Sequence, residues 1–260
     1  MASSLNIADK THNVLVEIGD MTLFVKRYFK SFFTIPFEWR ELLRQCYVVG
    51  NKSLLLVAVT GFILGLVFTL QSRPTLAQFG AVSWMPSMVG ISIVREIGPV
   101  ITALVCAGKI ASGMGAEIGS MRVTEQIDAM EVSGTNPFKY LVVTRITATT
   151  LMLPLLIIFG DAVALFGSAL VEYLKGGVSF VLYFNKVFDA ITFNDVVPAT
   201  IKSFFFGFVI GLVGCYKGYY CEKGTAGVGK ASNSAVVYAS MILFVVDFIA
   251  VFISDIFFEI

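Results

Sequence analysis

The sequence places two oppositely charged residues where a membrane-spanning helix should lie, in the run Arg95-Glu96-Ile97-Gly98-Pro99. Only twelve uncharged residues separate Glu96 from Lys109, too few to cross a bilayer, so the helix should begin upstream and carry both charges within the membrane. Ionisable residues at that depth usually face a cavity or a partner. We expect Arg95 to meet an anionic headgroup and Glu96 to line a polar patch, although both could instead reach the outer interface.

Pro99 should distort the helix at this point. Proline lacks an N–H, and its ring clashes with the carbonyl four residues earlier, which is that of Arg95. The helix should therefore bend or open, leaving a backbone acceptor beside the two charges. Neighbouring helical positions point about 100° apart, so we do not expect Arg95 and Glu96 to pair with each other.

A second group of charged residues occupies the polar segment 117–131. Glu125, Asp128 and Glu131 recur every three residues and share one helix face, while Ile127 and Met130 lie on another. A short amphipathic helix of this kind suits docking to a cytosolic partner. The same spacing is also typical of a solvated loop helix, and spacing alone favours neither.

Other kinds of chemistry have little support. The run Gly224–Ala231 resembles a phosphate-binding loop, but Ala231 lacks the hydroxyl that would bind Mg²⁺, and a membrane helix precedes the run. Four cysteines and the single His12 show no metal-ligand spacing. We expect no catalytic residue, no metal site, no cofactor bound by this chain and no nucleic-acid partner. Asp161 and Asp247, both inside predicted spans, could hydrogen-bond neighbouring helices, or Asp161 could instead approach the outer surface.

Composition indicates a polytopic membrane protein. Hydrophobic residues make up 57% of the 260 positions and charged residues 14%, against about 25% charged in soluble domains. A hydrocarbon layer about 30 Å thick needs about 20 apolar residues per helix. The sequence predicts an all-α protein with five spans, at about 53–72, 86–113, 146–171, 199–216 and 235–258.

The remaining segments connect these spans. Residues 1–52 mix aromatic and basic residues, which predicts one or two amphipathic helices in the membrane interface, or else a small soluble hairpin. Residues 53–260 form the five-span domain, with a cytoplasmic link at 114–138 and a long outer loop at 172–198. Fourteen Lys and Arg residues fall on one side and five on the other, which predicts a cytoplasmic amino terminus and an external carboxyl terminus.

Several motifs together resemble one known family. They are Arg95-Glu96-Ile97-Gly98-Pro99, Ala116-Glu117-Ile118-Gly119 and Thr124-Glu125-Gln126-Ile127-Asp128-Ala129, with Gly61-x-x-x-Gly65 in the first span. This combination resembles the MlaE-type permeases of ABC transporters, over about residues 55–260.

The resemblance implies a function and an assembly. Such permeases are homodimers in the bacterial inner membrane that move phospholipid or related lipids. Cytosolic ABC ATPase subunits bind the ATP and Mg²⁺, and a periplasmic Mce-domain (MlaD-like) lipid-binding protein sits over the dimer. It implies a coupling helix between the second and third spans, with ATPase-coupling residues Glu117, Arg122, Glu125, Gln126 and Asp128. It further implies a lipid cavity lined by Arg95 and Glu96, with apolar wall residues Phe68, Leu76 and Phe79.

The sequence is compatible with two other functions. One is an intramembrane lipid-modifying enzyme that uses Glu96, Asp161 or Asp247. The other is a carrier that works without nucleotide. The sequence shows neither a convergent catalytic pair nor the two repeated halves of many carriers.

Overall fold

The computed structural model describes residues 2–34 and 37–258, with side chains at 16–34 and 37–256. Residues 1, 35 and 36 of the predicted interfacial region, and the side chain of His12, therefore lie outside the described part. The described chain is helical and contains no β-strand. Its elements are α1 (Ala2–Phe32), α2 (Trp39–Gln78), α3 (Val82–Val123), α4 (Gln126–Val132), α5 (Phe138–Gly176), α6 (Phe180–Ala190), α7 (Phe193–Tyr219) and α8 (Thr225–Phe258).

Five of these helices are long and apolar enough to cross a membrane, namely α2, α3, α5, α7 and α8. This confirms the prediction of an all-α protein with five spans. Each helix is longer than its apolar run, because backbone hydrogen bonding continues into polar sequence. The 40 residues of α2 extend about 60 Å, twice the hydrocarbon thickness. This helix passes without a break through the predicted segment boundary at residues 52 and 53.

Helix α3 is widened where Pro99 enters it. Residues Ile93–Ile97 form a π-helical turn, and the Gly98 N–H bonds to the Ile93 carbonyl, five residues back. The wide turn removes the clash that Pro99 would otherwise make in a regular α-helix. The predicted opening of the helix beside Arg95 and Glu96 is therefore confirmed.

The most extensive helix–helix contact joins α2 to α5. A Cβ at Gly61 would lie 2.7 Å from the Gly160 carbonyl oxygen, so only glycine permits this approach. Thr69 Oγ1 donates to Ser168 Oγ at 2.6 Å further along the same contact. Gly61 and Gly65, the glycine pair of the first span, thus pack α2 against α5 within one chain.

The shorter helices attach at the two ends of the bundle. Phe24 of α1 is buried against Phe138 and Tyr216, the amino-terminal end of α5 and the carboxyl-terminal end of α7. Helix α4 occupies the predicted link, where it buries Ile127. The location of α1 in the membrane interface and the docking role of α4 stay predictions.

The segment 172–198, predicted as a loop, contains the additional helix α6. Ser179 caps it by accepting a hydrogen bond from the Leu182 N–H at 3.3 Å. Tyr183 and Val187, four residues apart, share the buried face and pack beside Met85 and Val89 of α3. The helix is amphipathic and lies against the bundle. Hydropathy alone cannot distinguish such a surface helix from an outer loop.

Candidate functional site

The widened turn of α3 directs Arg95 and Glu96 to different partners. Arg95 Nη1 lies 3.8 Å from Asp195 Oδ1 at the start of α7. Glu96 Oε2 accepts a 2.6 Å hydrogen bond from Lys202 Nζ, about two turns further into α7. The two residues do not pair with each other, as predicted.

Lys202 is the centre of this polar network. Its side chain is only 4% exposed, and its ammonium group also donates to Asp247 Oδ1 of α8 at 3.2 Å. Charges in hydrocarbon are expensive unless they are paired. One lysine therefore joins α3, α7 and α8 by satisfying two carboxylates.

Of the two cations in the network, Arg95 and Lys202, Arg95 makes fewer polar contacts with the described residues. Its side chain is 35% exposed, its ion pair with Asp195 is long, and it donates no hydrogen bond to a described residue. A guanidinium presents five donors in a planar fork that matches phosphate and carboxylate oxygens. Together with Glu96, Asn194, Asp195 and Lys202, it lines a small cavity between α3, α7 and α8.

The predicted apolar wall residues lie in another part of the chain. Phe68 and Leu76 are partly buried against the α3–α6 cluster that includes Met85 and Tyr183. Phe79, the residue that follows α2, is 78% exposed. None of the three is among the residues that line the polar cavity. Their contact with acyl chains stays a prediction.

The predicted coupling residues separate into two groups. Glu117 accepts a 2.8 Å hydrogen bond from Arg145 Nη2, a buried side chain of α5. Arg122 and Asp128 form an exposed pair at 2.7 Å across the turn between α3 and α4. Glu125 is the only described non-glycine residue with positive φ, at 58°, and makes the reversal that Gln126 follows. Both groups are exposed and can reach a partner, and Glu117 also ties α3 to α5 through Arg145.

The Gly224–Ala231 run takes no phosphate-loop geometry. Helix α7 precedes it, and α8 begins at Thr225, so Gly227, Gly229 and Lys230 are already helical. A Cβ at Gly227 would collide with the Glu222 carbonyl, so this glycine serves the close packing of the turn.

Lys202 and Asp195 are site residues that the sequence interpretation missed. In the sequence, Lys202 is one of the five basic residues assigned to the predicted outer side, with no role in a site. A signal was present, because Lys202 falls inside the predicted fourth span, where an ionisable residue already suggests function. Asp195 gives no comparable signal, since it lies in the first turn of α7, where its carboxylate accepts a hydrogen bond from the N–H of the N-cap residue Thr192.

Comparisons with known proteins agree with this architecture. The family described as Permease MlaE matches residues 42–253. A probable ABC transporter permease protein of Rickettsia felis is 35% identical over 260 residues, covering 98% of this chain and 99% of the relative. A probable ABC transporter permease protein of Synechocystis is 35% identical over 209 residues, 80% of each chain.

A plant relative extends the comparison to chloroplasts. The Arabidopsis thaliana protein TRIGALACTOSYLDIACYLGLYCEROL 1, chloroplastic, is 34% identical over 222 residues, which are 85% of this chain and 63% of that protein. The family match spans most of the chain and includes the charged turn of α3 and most of each of the five membrane helices. This chain therefore belongs to the MlaE permease family, as a multi-pass membrane permease subunit of the ABC transporter class.

Proposed function

We propose that this permease moves phospholipids or related lipids, and that the network around Lys202 contacts their polar headgroups. The observation that carries the proposal is the set of ion pairs Arg95–Asp195, Glu96–Lys202 and Lys202–Asp247, which lie within membrane-spanning helices. Such groups are retained in hydrocarbon where they serve a polar cargo or pathway.

A lipid suits this arrangement better than a water-soluble solute. Its headgroup oxygens can take up the unused donors of Arg95, while its chains remain among apolar side chains. The name of the Arabidopsis relative contains a diacylglycerol-based lipid, which supports a glycerolipid cargo for the family. Phe68, Leu76 and Phe79 would contact the chains.

The proposed assembly is the one expected for an ABC transporter that contains an MlaE-type permease. Two copies would associate in the bacterial inner membrane with cytoplasmic amino termini and periplasmic carboxyl termini. Phe244, Phe248 and Phe252 give α8 a broad exposed apolar face, which suits contact with a second copy or with lipid. ATPase subunits carrying ATP and Mg²⁺ would dock on the exposed residues Glu117, Arg122, Glu125, Gln126 and Asp128. A periplasmic Mce-domain protein would exchange the lipid.

The test is ATP-dependent movement of a fluorescent phospholipid in proteoliposomes that contain the permease, its ATPase and its periplasmic partner. Arg95→Glu and Glu96→Arg should each abolish movement while the protein remains in the membrane. Lys223→Glu reverses an exposed charge outside the network and should leave movement unchanged.

Three outcomes would contradict the proposal. Wild-type movement in both reversal variants would remove the headgroup role. Chemical conversion of lipid by the purified chain alone would favour an enzyme. Movement without nucleotide would favour a carrier.

A further inference from the structure

A cavity separate from the polar network lies between α5 and α7. Its volume is about 360 Å³, within the range of about 300–1,000 Å³ typical of ligand pockets. Its almost wholly apolar lining includes Val94, Pro154, Leu165, Phe184, Phe188 and Ser203. Phe188 and Ile158 are exposed, so the cavity opens sideways to the surface that faces lipid.

Asp161 brings a carboxyl group into this apolar lining. The residue is 8% exposed, and its Oδ1 atom is fully buried with no hydrogen-bond partner among the described residues. Oδ1 lies against Gly98, where any Cβ would overlap with it, so the oxygen of this carboxyl group that a ligand in the cavity can reach is Oδ2, which has no hydrogen bond to a described residue either. A buried polar atom without a partner is rare in a native structure and calls for a ligand or a water molecule.

The neighbouring hydroxyl groups do not serve Asp161. Ser203 Oγ donates to the Thr200 carbonyl at 2.6 Å, and Thr200 Oγ1 donates to the Val196 carbonyl at 2.8 Å. Both donors are therefore committed to the backbone of α7. A buried water needs two to four polar partners, and this lining provides few besides Asp161.

We propose that this cavity binds one hydrocarbon chain of a neutral lipid whose hydroxyl group hydrogen-bonds to Asp161. The apolar lining suits the chain and disfavours a charged headgroup. A hydroxyl both donates and accepts, so it matches a carboxyl group in either protonation state. Along α5 the cavity runs from Pro154 to Leu165, about 16 Å, with Asp161 nearer the α6 end. Long-chain alcohols and diacylglycerols belong to this ligand class. The cavity adjoins the proposed headgroup network, since Ala199 lines both cavities.

The experiment compares hexadecanol with its methyl ether, which keeps the oxygen and the chain but loses the donor. Each is added to nanodiscs that contain the full chain, and retained ligand is measured by native mass spectrometry. Wild-type protein should retain the alcohol about three- to tenfold better than the ether, the effect of one hydrogen bond within a membrane. Asp161→Leu should reduce that ratio to about one.

Two further variants make the result specific. Asp189→Leu removes an exposed acid from α6 and should keep the preference for the alcohol. Ala162→Trp fills the cavity from an exposed position and should lose both ligands without disturbing the core. Equal retention of alcohol and ether by wild type would overturn the proposal, because it would mean that Asp161 makes its hydrogen bond to water and not to the ligand. A preference that persists in Asp161→Leu, or ligand retained by Ala162→Trp, would also overturn it.

Discussion

Lys202 Nζ lies 2.6 Å from Glu96 Oε2, so a hydrogen bond joins the fourth membrane helix to the widened turn of the second. The contact bridges 106 positions of sequence. Since Lys202 also donates to Asp247, the position of the fifth membrane helix depends on the same ammonium group.

Lys202→Met should leave Glu96 and Asp247 without their cation. Removing one partner of a fully buried ion pair costs about 3–5 kcal/mol. Glu96 and Asp247 are partly exposed, so we expect a smaller loss of stability, seen as a lower melting temperature in detergent, and no lipid movement. The triple variant Lys202→Met, Glu96→Gln, Asp247→Asn removes the charges together. It should recover most of the stability but not the transport, and a transport-competent triple variant would contradict a headgroup role.

Gly61→Ala should separate α2 from α5. The added methyl group would lie 2.7 Å from the Gly160 backbone oxygen, and such overpacking costs about 1–3 kcal/mol. Gly108 is the matched control, because a Cβ there meets no heavy atom within 4 Å. Gly108→Ala should be neutral or stabilising by up to about 1 kcal/mol. Equal thermal stability of the two variants would show that α2 and α5 need no close approach.

Glu125→Lys combined with Asp128→Lys should release the ATPase subunit in a pull-down. The reversal breaks only the exposed Arg122–Asp128 pair, which contributes about 0–1 kcal/mol, so the fold should persist. Glu222→Lys reverses an exposed acid in the other short loop on the same side and should keep the ATPase bound. Intact binding by the double variant would place docking elsewhere.

Acid should weaken the attachment of α1 through Glu17. Burial alone would raise the pKa of Glu17, but hydrogen bonds from Lys217 and Tyr238, and the charge of Lys217, outweigh it and lower the pKa below 4.5. The pair therefore stabilises the fold above pH 4.5, and this contribution disappears as pH falls through the lower folded value. The stability difference between wild type and Glu17→Gln should be largest above pH 4.5 and shrink below it. A difference that does not change with pH would exclude this role for Glu17.

The number of spans and the distortion at Pro99 could be predicted because both follow from local chemistry. Apolar length determines which segments can cross a membrane, and proline acts on the helix that contains it. The partners of Glu96 could not be predicted in the same way. Lys202 reaches Glu96, and Asp247 reaches Lys202, only after three helices have packed, and no spacing rule within one helix specifies that geometry.

Helix α6 shows a second limit. Its apolar run, Phe180–Phe184, is too short to cross a membrane, and its position depends on contact with α3. Phe68, Leu76 and Phe79 show a third, because the resemblance assigned them to one cavity wall. In the single chain they divide between a packed cluster and an exposed helix end.

The π-helical turn at Ile93–Ile97 holds one residue more than a regular helix would place there. Deleting a single residue from this turn would restore an ordinary helical repeat. Everything on one side would then rotate by about 100° relative to the other and advance by about 1.5 Å. Such a shortened helix would still cross the membrane and remain equally apolar, yet its two halves would be out of phase, and Arg95 and Glu96 could no longer both face α7.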